Sequence, residues 1–192
     1  ASLDVTARDL SPVSNITIDN SAASAVTLTM SAEQVHALAG SITKGTNDLV
    51  VAQVQSGDTN ISAYTLTDAN SIDLNNIANV TLTTAQGLIG LSNDNGVILA
   101  AASEVATDLT ALGGQTGGTI DASAVTAITG TAAAINTAIA AVDTAPTAFT
   151  VALAAASEVA TDLTALGGQT GGTIDASAVT AITGTAAAIN TA

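Results

Sequence analysis

Two stretches of this chain are identical over forty residues. Residues 99–138 and residues 153–192 both read LAAASEVATDLTALGGQTGGTIDASAVTAITGTAAAINTA, and the second stretch begins 54 positions after the first. An exact tandem copy is typical of architectures in which each unit packs mainly against its sequence neighbours. The copy therefore predicts a stack of similar units and argues against a single globular core.

The period extends beyond the exact copy. A Thr/Ser-Ile-Asp tripeptide, which is typical of a strand, recurs at residues 17–19, 71–73, 119–121 and 173–175. This spacing predicts one continuous solenoid with an N-terminal segment (1–16), repeats 17–70, 71–118 and 119–172, and a partial repeat 173–192. The second repeat is shorter because Ser-Asn-Asp-Asn-Gly at 92–96 replaces a longer connection, which we expect to be a surface loop.

Each full period contains two similar halves of roughly 24 to 30 residues. In the later repeats the sequence predicts strands at 119–125, 127–129 and 147–153, and helices at 131–142 and 157–166. Ser157 is predicted to cap the second of these helices and Gly167 to end it.

The N-terminal part follows the same order with different residues. Residues 26–29 (Val-Thr-Leu-Thr) predict a strand, and Ser31 to Gln34 has the spacing of a capping box. Val35 and Leu38 would form the apolar face of the following helix, and Gly40 would stop it.

Helices of about ten residues are marginal on their own, so they need the strands of neighbouring units to hold them. We therefore expect a β-solenoid-like stack of parallel strands with short α-helices, that is, an α/β solenoid. An all-β solenoid is the alternative.

Composition excludes several classes of function. The chain carries 16 acidic residues against Arg8 and Lys44, and no basic residue occurs from Gly45 onward. Such a surface repels phosphate backbones, so we expect no nucleic-acid partner. No apolar run reaches the ~18 residues of a membrane span, and without cysteine there is no disulfide or thiolate chemistry. Because the chain starts without Met and stops inside a repeat, we expect it to be a piece of a longer array.

No residue pattern predicts catalysis. His36 is the only histidine and lies beside apolar helix positions, so no nucleophile–base pair can recur in each repeat. The glycine-rich stretch at 113–118, repeated at 167–172, lacks the lysine of a phosphate-binding loop. We expect it to be a corner between helix and strand.

We predict no metal and no cofactor. Asp121 and Asp175 follow glycine-rich stretches, and Asp94 lies between two asparagines, so calcium binding is the alternative for these three carboxylates. One Asp per repeat is too sparse for a cation that takes six or more oxygens. Asp at the end of a strand is the favoured interpretation.

A Thr-x-Thr theme recurs at residues 27–29, 65–67 and 81–83. A regular threonine ladder on a flat face could order water, so an ice-binding or adhesin face is the alternative function. Asn15, Asn60 and Asn79 match the glycosylation sequon.

Segments such as TIDASAVTAITGTAAAINTA and ASEVATDLTALGG resemble the giant tandem-repeat proteins of bacterial cell surfaces. This resemblance rests on composition and period. It implies secretion and a role as an adhesin stalk, surface coat or extracellular filament. We therefore expect a non-enzymatic structural protein, located outside the cell or on its surface, that associates with itself into a fibre or array and does not insert into membranes.

Overall fold

The computed structural model describes residues 1–18, 25–154 and 157–192. The predicted strand end at Asp19 lies outside these residues. The chain divides into two compact units, Ala1–Val97 and Ile98–Ala192. Strand β9 (Val97–Leu99) spans the division.

The first unit consists of short strands and two short helices. Its elements are β1 (Ser2–Asp4), β2 (Ile16–Ile18), β3 (Thr27–Ser31), α1 (Ala32–Ala37), β4 (Ile42–Lys44), β5 (Leu49–Gln53), β6 (Ser71–Asp73), β7 (Val80–Leu82), α2 (Thr84–Gly87) and β8 (Leu91–Ser92). One sheet has the order β1-β3-β5-β6-β8, and β2 pairs with β4 in another. Every pair in these two sheets is parallel.

The second unit repeats this plan with longer helices. Its elements are β10 (Ser103–Val105), α3 (Ala106–Gly113), β11 (Ile120–Asp121), β12 (Ala127–Gly130), α4 (Ala132–Ala140), β13 (Thr150–Leu153), β14 (Ser157–Val159), α5 (Ala160–Gly167), β15 (Ile174–Asp175), β16 (Ala181–Thr183) and α6 (Ala186–Ile189). The order β10-β12-β13-β15 forms one parallel sheet, and β14 pairs in parallel with β16.

Paired strands lie a similar distance apart in sequence. In the four sheets described above, the separation ranges from 19 residues, between Ile72 and Leu91, to 26 residues, between Ile16 and Ile42. Parallel neighbours need a crossover connection of about a dozen residues or more, and here turns and short helices supply it. The prediction of short parallel strands combined with short α-helices is confirmed.

Side chains that face inward are stacked by the parallel register. In the first unit Leu28 lies between Leu3 and Val50, and both Leu28 and Val50 are buried. In the second unit Ile128 lies opposite Val151, and both are buried. The core is therefore a series of aligned aliphatic side chains. It includes one large ring, Phe149, which is fully buried.

Several local predictions are confirmed. Ser31 accepts a hydrogen bond from Gln34 N, and the Gln34 side chain accepts one from Ser31 N, which completes the capping box. Gly40 has φ of +79°, just beyond the end of α1, and α5 ends at Gly167.

The predicted cap at Ser157 is wrong. Ser157 lies in β14, and α5 starts three residues later, after Val159, with no side-chain cap. The reason is the strand register: β14 pairs with β16 and turns Glu158 inward, where it is 4% exposed. Pairing and burial therefore outweigh the local tendency of serine to begin a helix.

Candidate functional site

Aspartates at the ends of strands form the same type of turn at several places in the chain. Asp121 Oδ1 accepts a hydrogen bond from Ser123 N at 2.9 Å, and Val125 N donates to the Ala122 carbonyl at 3.0 Å. The same two bonds recur after Asp4, Asn60, Asp73 and Asp175. We call this five-residue arrangement the Asx corner.

The Asx corner explains the recurrent Ile-Asp at strand ends. The side-chain oxygen replaces the backbone acceptor that the strand loses when the chain turns. Hydrogen bonds from Ser123 and Ser177 hold the pKa values of Asp121 and Asp175 below their ordinary value. Both carboxylates, which were the calcium alternatives, thus have a structural role in closing a turn.

Acidic side chains are not gathered at one place. In the ranges 1–18, 25–154 and 157–192, no group of three or more His, Cys, Asp and Glu side chains is arranged to hold a metal. Asp94, the third calcium alternative, is half-buried in the loop after β8, where Asn93 donates to Asp73 Oδ1 at 2.8 Å. This loop is the one predicted at residues 92–96, and most of its residues are exposed or half-buried.

In the first unit, one glutamine in each of the two short helices joins that helix to an Asx corner. Gln86 Nε2 donates to the carbonyls of Ile61 and Tyr64, at 2.7 and 2.8 Å, while its Oε1 accepts from Thr83 N. Gln34 makes the equivalent bonds to the carbonyls of Val5 and Arg8. The sequence predicted the capping role of Gln34 but not its bonds to the Asx corner. It also did not predict the capping box from Thr83 to Gln86, although the spacing is the same as from Ser31 to Gln34.

Each glutamine borders a cleft between its helix and the preceding loop. The first cleft, of about 390 Å³, is lined by Arg8, Asp9 and Glu33 among others. The second, of about 420 Å³, is lined by Ser62, Tyr64 and other uncharged residues. Because the linings of the two clefts differ so much, the clefts would not bind the same kind of ligand. We therefore interpret both clefts as a consequence of the way the helices pack.

His36 has structural contacts. Its ring stacks on Tyr64, with centroids 5.2 Å apart and planes 7° apart, and its Nδ1 accepts from Thr65 N at 2.9 Å. This arrangement fixes the loop that holds Tyr64 against α1.

The glycine-rich stretches are corners between a helix and a strand, at 113–118 and 167–172. Thr116 Oγ1 accepts from Gly118 N, and Thr170 Oγ1 accepts from Gly172 N. A Cβ on Gly172 would overlap the Phe149 carbonyl, so the backbone there needs glycine.

The threonine theme does not form a ladder. Thr27 lies opposite Ser2 and Leu49, and Thr29 lies opposite Asp4 and Val51. Residues 64–67 lie outside any strand. The register therefore gives no support to an ordered threonine face.

The two identical forty-residue copies fold alike but differ in burial. Both form the same succession of strand, helix, strand, strand and helix, from β10 to α4 and from β14 to α6. In the first copy Ile120, Ile128 and Ile135 are at most 1% exposed. Their counterparts in the second copy, Ile174, Ile182 and Ile189, are 36%, 43% and 43% exposed.

No family model, curated protein or solved structure matches the chain. In the part of the chain that the structure describes, none of the helices has the length and apolar character needed to cross a membrane.

Proposed function

We propose that the chain is a structural repeat protein without catalytic activity, a building block of an extracellular filament, surface coat or adhesin stalk. The observation that carries this proposal is the folding of one forty-residue sequence into the same elements twice. Repeating this sequence lengthens the protein without adding a new site, which suits a structural protein whose function depends on its length.

The proposed architecture is a solenoid of coils of about 19 to 26 residues, each laying a strand beside its predecessor. Parallel hydrogen-bond ladders would then run along the array and carry tension between coils. Contacts between helices add to this, since Asn136 on α4 donates to the Asp162 carbonyl on α5 at 3.0 Å. Each coil completes the core of its neighbour, as in other solenoids.

The side-chain chemistry fits such a scaffold. Three polar side chains described above have structural roles: Asp121 closes a turn, Gln86 joins a helix to a loop, and His36 accepts from a backbone amide. The formal charge of −14 keeps the surface hydrated. It also disfavours nucleic acid as a partner, and we propose self-association as the mode of assembly.

Imaging tests the proposal directly. Antibody labelling of intact cells that make the protein, followed by negative-stain microscopy of the labelled material, should show surface rods or fibres of even width. A cytosolic marker protein is the control for cell integrity. Compact round particles confined to the cell interior would contradict the proposal.

A further inference from the structure

We infer that the second unit binds one buried water molecule between α4 and the segment formed by β14 and α5. This water donates one hydrogen bond to the Glu158 side chain and one to the Asn136 side chain. The binding site belongs to the folded unit and does not rest on the proposed structural function, so either can fail without the other.

Glu158 is a buried acid beside the start of a helix. It lies in β14 and is 4% exposed. Its Oε2 accepts a hydrogen bond at 3.1 Å from the N–H of Ala132, the first residue of α4. The positive end of the helix dipole favours a carboxylate at this position. One oxygen of Glu158 is therefore held as a cap that β14 supplies to α4.

The second oxygen of Glu158 needs a donor from outside the chain. Glu158 Oε1 is buried, and no donor among the described residues bonds to it. No lysine or arginine that could pair with the carboxylate occurs from Gly45 onward. A buried acceptor without a hydrogen bond is costly, so buried polar groups are almost always paired with protein or with ordered water.

Asn136 carries another unpaired oxygen in the same contact. Its Nδ2 donates to the Asp162 carbonyl on α5 at 3.0 Å, whereas its buried Oδ1 accepts no hydrogen bond within the described part of the chain. Asn136 follows Ala132 by one helical turn, and Asp162 follows Glu158 by the same four positions. The Glu158–Ala132 and Asn136–Asp162 bonds are therefore successive bonds of one contact between α4 and the segment β14–α5.

Water is the ligand that fits these two oxygens. Both are acceptors, and one water molecule can donate two hydrogen bonds at once. Calcium takes six or more oxygens, while the unpaired side-chain oxygens of this contact are two among the described residues. The helix N-terminus also disfavours a cation beside Glu158. A bridging water would add to the two direct bonds that already join these elements.

The corresponding helix of the first unit shows a similar feature. Thr84 is the first residue of α2 and precedes Ala132, the first residue of α4, by 48 positions. Thr84 is 3% exposed, and its buried Oγ1 has no partner in the ranges that the structure describes. A hydroxyl can donate to water or accept from it. Buried unpaired side-chain atoms thus occur near the start of equivalent helices in both units.

Nuclear magnetic resonance of the full chain tests the site. The backbone amide of Ala132 and the side-chain amide of Asn136 should show cross-relaxation with a water molecule that tumbles with the protein. The amide of Ile128, which is fully buried among aliphatic side chains, is the internal control and should show none. Lack of these cross-peaks at both Ala132 and Asn136 would overturn the inference.

Glu158→Gln tests whether the carboxylate holds the water. The amide oxygen can still accept from Ala132 N, while the amide nitrogen replaces Oε1 and can donate to Asn136 Oδ1 directly. This variant should keep the far-ultraviolet circular dichroism of the wild type and lose the water cross-peaks. Asp162→Asn is the matched control, because Asp162 contributes its backbone carbonyl, and it should keep them.

Cross-peaks of unchanged intensity in Glu158→Gln would overturn the assignment of the water to this carboxylate. If this variant does not fold, the wild-type spectrum still decides whether a water is bound.

A bound cation is the competing outcome. Melting temperatures of the wild type in NaCl, KCl and CaCl₂ at equal ionic strength should respond to these salts as those of Glu158→Gln do. An extra stabilisation by one of the cations that Glu158→Gln abolishes would show that an ion, and not water, occupies the site.

Discussion

A carboxylate or amide oxygen, and not a negative charge, is what the Asx corner requires. Asn60 makes the same two bonds that Asp4 makes, to the amide and the hydroxyl of the residue two positions later. The repeated Asp of this chain is therefore a turn residue with a replaceable charge.

Substitutions at Asp121 test this interpretation. Asp121→Ala removes the acceptor for Ser123 N and should lower the free energy of unfolding by about 1 kcal/mol. Asp121→Asn keeps the acceptor and should stay close to the wild type. Urea unfolding followed by circular dichroism gives both values. Equal losses for the two variants would show that the charge itself is needed.

The lowered pKa values predict an acid-sensitive fold. Four aspartates have a pKa below the ordinary value of 3.8, because a Ser or Thr two positions later donates hydrogen bonds to each carboxylate. The four pairs are Asp4 with Thr6, Asp9 with Ser11, Asp121 with Ser123, and Asp175 with Ser177. A group whose pKa is lower in the folded state stabilises the fold above its unfolded pKa of about 3.9. That stability should disappear as the pH falls through the lowered folded pKa values. Melting temperatures measured from pH 7 to pH 2 should fall mainly below pH ~4, and Asp121→Asn should reduce the change.

Gln86 is a buried polar side chain that joins α2 to the Asx corner at Asn60. It is 6% exposed and satisfies two carbonyls and one amide. Gln86→Ala leaves these groups without partners and should cost about 2 to 3 kcal/mol in urea unfolding. Gln55→Ala is the control, because the Gln55 side chain hydrogen-bonds only to Gln53 in the described residues, and it should change stability little.

The helices in the described residues are four to nine residues long, too short to persist alone. One pair of glycines shows how closely α3 packs against the end of α4. A Cβ on Gly113 would lie 2.8 Å from the Ala141 carbonyl oxygen. A Cβ on Gly167, at the same place in the second copy, would meet nothing within 4 Å.

This pair gives a matched test of the packing of α3 against the end of α4. Gly113→Ala should destabilise the fold by about 1 to 3 kcal/mol, because Ala141 must move. Gly167→Ala has an identical local sequence and should be neutral, or slightly stabilising through better helix propensity. Thermal melts of the two variants would contradict the packing argument if their changes were the same.

The elements that sequence analysis located best are those with a strong local signal. The capping box at Ser31 and the turn at Gly40 depend on residues at most a few positions apart. Ser157 misled because its hydroxyl fits a cap, whereas the register with β16 places it in a strand. The Gln86 contacts were missed because their partners lie 22 and 25 residues away.

The two identical copies differ in the burial of equivalent side chains. Ile128 is fully buried and Ile182 is 43% exposed, although the same residues surround both in sequence. In a stack, stability grows with each added interface between neighbours.

An additional unit tests this property of the chain. Extending the chain by another copy of residues 139–192 should bury Ile174, Ile182 and Ile189 and raise the melting temperature. A cysteine at position 182, read by its reaction with a thiol reagent in dilute solution, should react at least tenfold more slowly in the longer chain. An unchanged reaction rate would show that the added unit folds as a separate body.

Several features of the chain could be predicted from its sequence alone: the forty-residue copy, the strand ending in Ile-Asp, the short helices and the acidic surface. These depend on residue type and spacing, which local conformational preference turns directly into turns, caps and strands. The strand that pairs with each strand could not be predicted. In the four sheets described above, parallel pairing joins residues 19 to 26 positions apart, and nothing in their side chains identifies the partner. Tertiary packing alone decided that Ile120, Ile128 and Ile135 are buried while Ile174, Ile182 and Ile189 are exposed, because these identical segments differ only in the residues packed against them.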